Sequence, residues 1–285
     1  MQFFAVYMLP LPLKQCLGAV FPEDEDYISK NLDIFYRTCK SYPDLLRPVY
    51  HPRDMEGENW EGVLGILTLE DGRAVEGRIE NLEKLYQKGI RLITLTLNDA
   101  NCFGTPNSRH VKVMEAGLTN FGCQAVERMN ELGMLVDVSH LSDGGFWDVA
   151  ALSRMSKKPF VASHSNCRAL NPHPRSLTDG MIRALGQCGG VMGVNFRPEF
   201  LTGDIRCKRS KAEDIVRHLR HMINVGGTDC AAIGTDFDGI SGRLDIDGPE
   251  QMPLLFTELE RAGFTETEID KIAFRNVERV LKNVL

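Results

Sequence analysis

Residues 132–140 read LGMLVDVSH, and they combine the end of a helix with a buried strand. The helical pattern of Phe121–Leu132 stops at Gly133, a residue type that commonly ends helices. The apolar run Met134–His140 follows and predicts a strand with His140 at its carboxyl end. A helix that leads into a continuous apolar strand is typical of a parallel sheet covered by helices.

The same succession of apolar run and helical pattern recurs along the chain. The patterns Glu80–Tyr86, Thr178–Leu185 and Ala212–Asn224 are each followed closely by a glycine, and Glu266–Leu285 predicts a closing helix with Thr265 as its N-cap. About seven strands result, which fit either a barrel or an open doubly wound sheet. They are Phe3–Met8, Gly62–Glu70, Leu92–Asn98, Met134–His140, Phe160–Ser165, Gly190–Phe196 and Cys230–Asp236.

Length and composition favour one domain over residues 1–285, since α/β barrels routinely use about this length. The net charge of −6 argues against a nucleic-acid partner. We predict no membrane span, because no apolar run reaches the required length and Pro10 and Pro12 interrupt the apolar N-terminus. Eight cysteines without a C-x-x-C pair predict a reducing, cytoplasmic location.

Polar residues at the carboxyl ends of the predicted strands favour the barrel, in which all such ends open onto one mouth. Each has an ordinary alternative: a buried histidine bonded to a carbonyl, a carboxylate that begins a loop, or an aspartate that caps a turn. Together, two imidazoles and a carboxylate are the ligand types that Zn²⁺ prefers. The residues concerned are Glu70, Asn98, His140, His164, Asn195 and Asp236.

Asp236 lies in the sequence IGTDFDG, where Gly234 and Gly239 permit tight turning around the carboxylates. A carboxylate beside a bound metal can accept a proton from water and pass it to a leaving amine. We therefore predict that Asp236 is the proton shuttle. The alternative is that Asp236 or Asp238 only caps the following turn.

Four segments together resemble the signature segments of the membrane dipeptidase (renal dipeptidase) family, peptidase family M19 of the amidohydrolase-like metallohydrolases. They occur in the family's order and spacing across nearly the whole chain. The segments are Gly117–Gly122 (GLTNFG), Leu132–His140, Ser163–Ser165 (SHS) and Gly234–Gly239 (GTDFDG).

This resemblance implies a (β/α)8 TIM-type barrel with a binuclear zinc site that hydrolyses dipeptides. Glu70 matches the carboxylate that bridges the two metals, and His140 and His164 match the histidine ligands of one metal. Asp236 matches the carboxylate that contacts the other metal and moves the proton. Arg175 falls where the family places an arginine for the substrate, and a guanidinium suits an α-carboxylate. The resemblance also suggests a homodimer.

Two departures from the family pattern affect these expectations. No His-x-Asp pair precedes Phe3, so we expect the barrel to lack its first strand and one of the two zinc sites to be intact. Leu97 stands where better-known dipeptidases carry a histidine that contacts the substrate, which indicates an altered substrate preference. Asn98 is the candidate to replace it in substrate binding.

The leading hypothesis is that a metal-activated water attacks the amide carbonyl of a dipeptide while Arg175 holds its carboxylate. One alternative is a hydrolase of another small amide, ester or lactone. A second alternative, from a different class, is a truncated or degenerate relative that binds one metal or none and serves as a non-catalytic binding protein.

Overall fold

The computed structural model describes residues 1–17, 22–56, 60–202 and 209–285. Its paired strands run parallel wherever their register is defined. The strands are β1 (Gln2–Tyr7), β2 (Leu46–Pro48), β3 (Val63–Glu70), β4 (Ile90–Thr94), β5 (Leu135–Asp137), β6 (Val161–Ser165), β7 (Val191–Val194), β8 (Arg209–Ser210), β9 (Ala231–Ile233) and β10 (Arg243–Leu244).

Helices separate most of the strands, as the alternating sequence pattern predicts. Short 3-10 turns occupy Pro52–Met55, Gly72–Val75 and Pro249–Gln251. The α-helices are α1 (Leu11–Leu17), α2 (Asp24–Ser41), α3 (Ile79–Gln87), α4 (Val111–Met114), α5 (Asn120–Leu132), α6 (Asp143–Ser156), α7 (Asp179–Gln187), α8 (Pro198–Leu201), α9 (Ala212–Gly226), α10 (Met252–Arg261), α11 (Glu266–Asp270) and α12 (Asn276–Val284).

The backbone divides into two compact units, of which the first comprises residues 1–152 and 281–285. In this unit β3 pairs with β1, β2 and β4, and β4 pairs with β5. The register places Glu70 opposite Thr94, and Thr94 opposite Asp137. The carboxyl ends of β3, β4 and β5 are therefore aligned, which positions the side chains that follow them.

The second unit comprises residues 153–280 and contains β6, β7 and β9 side by side. Ser165 lies opposite Val194, and Val194 lies opposite Ile233, so these strand ends are also aligned. Helices α7 and α9 bury apolar side chains, among them Leu185 and Leu219. Each fully buried side chain of this kind contributes roughly 1.5–3 kcal/mol to the free energy of unfolding.

Every one of the seven predicted strands is present, but most end earlier than predicted. β5 stops three residues before His140, β9 stops three before Asp236, and β4 stops four before Asn98. His140 and Asp236 have φ values of 69° and 60°, which no strand can continue through. The prediction that these polar residues end strands is thus correct for Glu70 and for His164, the last residue but one of β6. It is wrong for Asn98, His140, Asn195 and Asp236, which follow their strands. The short strands β2, β8 and β10 were not predicted.

The closing helix is interrupted, although its start is as predicted. Thr265 caps α11 through its side chain, which accepts from the backbone N–H of Glu268. A single π turn at Lys271–Arg275 then separates α11 from α12. Among the described helices, none combines the length and the apolar character that crossing a bilayer requires.

Candidate metal and catalytic site

Glu70 and His140 come into contact in the first unit. Glu70 is the last residue of β3, and its neighbours in register on either side are Tyr7 and Thr94. Its Oε1 lies 3.3 Å from Nε2 of His140, and the two side chains are only 14% and 16% exposed. A carboxylate and an imidazole held together with little exposure are suitable ligands for a divalent cation such as Zn²⁺.

A buried aspartate holds the loop that carries His140. Asp137 is fully buried and accepts from Thr94 Oγ1 at 2.6 Å and from the backbone N–H of Ser139 at 2.9 Å. The carbonyl of His140 accepts from the backbone N–H of Asn107 at 2.6 Å and from its side-chain amide at 2.9 Å. These contacts stabilise the left-handed backbone of His140, a conformation that is costly for a residue other than glycine and is found most often at functional sites.

A second buried aspartate anchors the chain directly after Glu70. Asp71 accepts from the side-chain amide of Asn101 at 2.8 Å and from Nη1 of Arg73 at 3.1 Å. Burial raises the pKa of Asp71, and these donors act in the opposite direction. Sequence reasoning assigned no role to Asp71 or Asp137. The signal was available, since an aspartate inside the apolar run Leu135-Val-Asp-Val138 needs buried hydrogen-bond donors.

His164 and Arg175 belong to the second unit. The Nδ1 atom of His164, in β6, shares a hydrogen bond of 2.7 Å with Ser163 Oγ, and its side chain is largely buried. The loop after β6 folds back, so that Ser165 Oγ donates to the carbonyl of Arg175 at 3.0 Å. Arg175 is only 6% exposed, so it is a buried arginine and not one on the surface.

The same loop is held against α9 by a histidine of that helix. His218 is fully buried, its Nδ1 accepts from the backbone N–H of Cys167 at 3.1 Å, and its Nε2 lies 3.0 Å from the carbonyl of Leu201. Nε2 therefore carries the proton. Burial lowers the pKa of His218 to about 4, so the ring is neutral near neutral pH.

Asp236 follows β9 and is held by Asn195, which follows β7. Nδ2 of Asn195 donates to Oδ2 of Asp236 at 2.9 Å. Asn98, in contrast, is exposed in the bend after β4, while its neighbour Leu97 is buried. The structure thus brings together Glu70 with His140 and Asn195 with Asp236, and it leaves the substrate role of Asn98 as a prediction.

The comparisons with known proteins identify the family of the chain. Residues 1–285 match the family described as membrane dipeptidase (peptidase family M19). The chain belongs to the membrane dipeptidase family. Membership makes it a metallopeptidase of the hydrolase class and assigns it metal-dependent hydrolysis of dipeptides. The recognition from sequence motifs is thereby confirmed.

Solved structures of this dipeptidase family share the fold. A family M19 metallopeptidase, dipeptidase AC, has a TM-score of 0.86 and 26% identity over 99% of this chain and 85% of its own. A metallopeptidase from Rhodobacter sphaeroides, liganded with a phosphinate mimic of the dipeptide L-Ala-D-Ala, has a TM-score of 0.84 and 25% identity over 99% and 86%. The predicted α/β fold of the TIM-barrel type is confirmed.

Two sequence relatives of this dipeptidase are also informative. An uncharacterized protein of Klebsiella pneumoniae, from the pqqA 5′ region, is 37% identical over 91% of this chain and 96% of its own length. An uncharacterized dipeptidase of Schizosaccharomyces pombe is 33% identical over 76% of this chain and 52% of its own length. The first relative is thus similar over almost its entire length.

Proposed function

We propose that this dipeptidase uses Zn²⁺ held by Glu70, His140, His164 and Asp236. The observation that carries the proposal is the contact of 3.3 Å between Glu70 Oε1 and His140 Nε2. One carboxylate and one imidazole fit Zn²⁺, and a hydrogen bond donated by Nδ1–H of His164 to Ser163 Oγ would leave the lone pair of Nε2 available to the metal.

The residues of the chain divide the remaining work. When bound, the cation supplies Lewis acidity, which acidifies a water molecule and polarises the scissile carbonyl. Asp236 accepts the proton of the attacking water and delivers it to the leaving amine. The guanidinium of Arg175 binds the free carboxylate of the dipeptide through paired hydrogen bonds. This pairing favours dipeptides over long chains, whose carboxylate lies far from the scissile bond.

The substrate is a small dipeptide with an altered side-chain preference. The dipeptide mimic bound by the Rhodobacter sphaeroides relative supports this class of substrate. The buried Leu97 cannot donate a hydrogen bond, so substrate binding relies on other donors, among which we include Asn98.

A panel of substrates tests this function. Zinc-loaded protein is assayed on dipeptides, on dipeptide amides, on N-acyl amino acids and on lactones, with chelator-treated protein as the control. We expect hydrolysis of dipeptides that the chelator abolishes and added Zn²⁺ restores. Preference for lactones or N-acyl amino acids would favour the alternative hydrolases, and metal binding without any hydrolysis would favour the non-catalytic binding protein.

Three further properties are proposals that extend beyond the site. The match of the family to residues 1–285 supports a single hydrolase domain. None of the seven cysteines that the structure describes forms a disulfide, which supports a reducing, cytoplasmic location. A homodimer remains the oligomeric state that we propose from the family resemblance, and light scattering of the purified protein measures it.

A further inference from the structure

Asn195 is a polar residue with no exposure to solvent, and its side chain is directed at the proposed proton shuttle. Its Nδ2 donates to Asp236 Oδ2 at 2.9 Å, and its Oδ1 accepts from the backbone N–H of Arg197 at 2.7 Å. The backbone N–H of Arg197 can only donate, which fixes the orientation of the Asn195 amide. The N–H groups of that amide therefore face the carboxylate.

Backbone hydrogen bonds between the segments that follow β7 and β9 keep Asn195 and Asp236 in position. The register of β7 and β9 continues past the strands, because Gly234 donates to the carbonyl of Val194 at 3.2 Å and Phe196 donates to that of Thr235 at 3.4 Å. Phe196 and Phe237, which follow the two residues in sequence, pack edge to face with ring centroids 5.9 Å apart. The chain segments Asn195–Phe196 and Asp236–Phe237 are thus joined by one hydrogen bond and by one aromatic contact.

The other oxygen of Asp236 lies against a glycine. A Cβ atom added to Gly239 would stand 2.5 Å from Oδ1 of Asp236, which is too close for a carbon and an oxygen that are not bonded to each other. Gly239 also donates its backbone N–H to the carbonyl of Asp236 at 3.2 Å, closing a tight turn. Asp236 itself has a φ of 60°. The carboxylate is thus held by Asn195 at Oδ2, while Oδ1 lies where only a glycine at position 239 leaves room for it.

We propose that Asn195 is a positioning residue for proton transfer, holding Oδ2 of Asp236 so that Oδ1 carries the proton. This inference rests on the proposed function. In the forward step Oδ1 takes one proton from the attacking water as the C–O bond forms. In the second step the same oxygen gives that proton to the amine nitrogen as the C–N bond breaks, so that the carboxylate is regenerated. The hydrogen bond from Asn195 to Oδ2 is retained throughout.

A purely structural role predicts a different set of contacts, and Asn276 illustrates it. This buried asparagine donates to the carbonyls of Thr228 at 2.9 Å and Ala231 at 2.8 Å, and both acceptors belong to the backbone. Asn276 thus ties α12 to the chain around β9. Asn195 instead donates its hydrogen bond to an ionisable side chain, which a structural role does not require. Asn276 is for this reason the matched control.

The test compares Asn195→Ala and the isosteric Asn195→Asp with Asn276→Ala. For both Asn195 variants we expect kcat to fall roughly ten- to hundredfold, the range typical of groups that orient a metal-site residue, with KM and zinc content unchanged. Asn195→Ser, which replaces the amide donor by a hydroxyl donor, should have a higher kcat than Asn195→Ala. Asn276→Ala should lower Tm and leave kcat unchanged. Asn195 variants that lower only Tm would overturn the proposal.

A double-mutant cycle with Asp236→Ala shows whether Asn195 acts through the carboxylate. Adding Asn195→Ala to Asp236→Ala should cause no further loss of kcat, and a fully additive loss would contradict the proposal. The ¹⁵N and ¹H shifts of the Asn195 side-chain amide should also change in Asp236→Ala protein, which is measured without any substrate; unchanged shifts would overturn the contact. Wild-type protein inactive on every dipeptide, with that shift change present, would reject the proposed function alone.

Discussion

Oε1 of Glu70 and Nε2 of His140 lie 3.3 Å apart although half of the first unit separates them in sequence. The parallel register explains the meeting, because Glu70, Thr94 and Asp137 lie opposite one another across three strands. The turn after Asp137 then directs His140 toward the end of β3. Both side chains could bind the same cation from this position.

Removing one proposed ligand should affect metal binding and hydrolysis together. We expect His164→Ala to lower both the zinc content and the rate of dipeptide hydrolysis, because a neutral imidazole is replaced by a group that cannot bind metal. Zinc content is measured by mass spectrometry after dialysis, with one tightly bound ion expected per wild-type chain. His110→Ala is the control, since His110 is exposed and lies in a loop. Loss of activity with full zinc content would contradict the ligand role of His164.

Arg175→Ala should weaken the binding of substrates that have a free carboxylate. The arginine is buried, so the loss is expected to be roughly 2–5 kcal/mol in binding free energy, as for a buried charge pair that loses one partner. The measurement is KM for a dipeptide and for the same dipeptide amidated at its C-terminus. Equal effects on the two substrates would remove the carboxylate role.

The stability of the protein should decrease on mild acidification because of His218. Its pKa is lowered to about 4 in the folded protein, whereas an unfolded histidine has a pKa near 6.5. The unfolded chain therefore binds the proton first, and stability is lost as the pH falls from about 6.5 through about 4. The loss amounts to roughly 3 kcal/mol.

Urea unfolding between pH 7 and pH 4 measures this effect. His218→Gln protein lacks the titrating ring and should show a shallower dependence of the unfolding free energy on pH, although it starts from a lower stability. Identical pH dependence in the two proteins would mean that other groups account for the acid sensitivity.

Asp137→Ala should destabilise the first unit and also disturb the metal site. The substitution leaves the hydroxyl of Thr94 and the backbone N–H of Ser139 without their acceptor, which costs roughly 2–3 kcal/mol in unfolding free energy. Thr94→Val removes a single hydrogen bond and should cost about 1 kcal/mol. Zinc affinity should fall in Asp137→Ala protein and stay unchanged in Thr94→Val protein. Unfolding curves and zinc titrations distinguish the two variants.

Sequence periodicity was sufficient to locate seven of the ten described strands and several of the helices. Apolar runs marked all seven predicted strands, and Gly89 and Gly133 follow helices with φ values of 98° and 79° that favour glycine. The carboxyl ends were overextended because Val138 and Phe196 are buried without belonging to a strand. Burial in these loops comes from packing, which the apolar pattern does not distinguish from strand pairing.

The polar contacts behind the site could be found only in part from the sequence. Glu70, His140 and Asp236 were recognised by residue type and family pattern. The roles of Asp71, Asp137 and Asn195 depend on which backbone N–H or side chain lies opposite, and that follows from register. The break at Lys271–Arg275 also escaped the sequence analysis, which predicted one continuous helix over Glu266–Leu285.

Two glycines face the carbonyl oxygen of Ser163, the residue before His164. They are Gly193, which lies in β7, and Gly234, which directly follows β9. A methyl group at either position would overlap that oxygen. A larger residue at either position would therefore have to displace the backbone of β6, the strand that carries His164. A saturation library selected for dipeptide cleavage would recover glycine alone at both positions while tolerating many residues at Asn98.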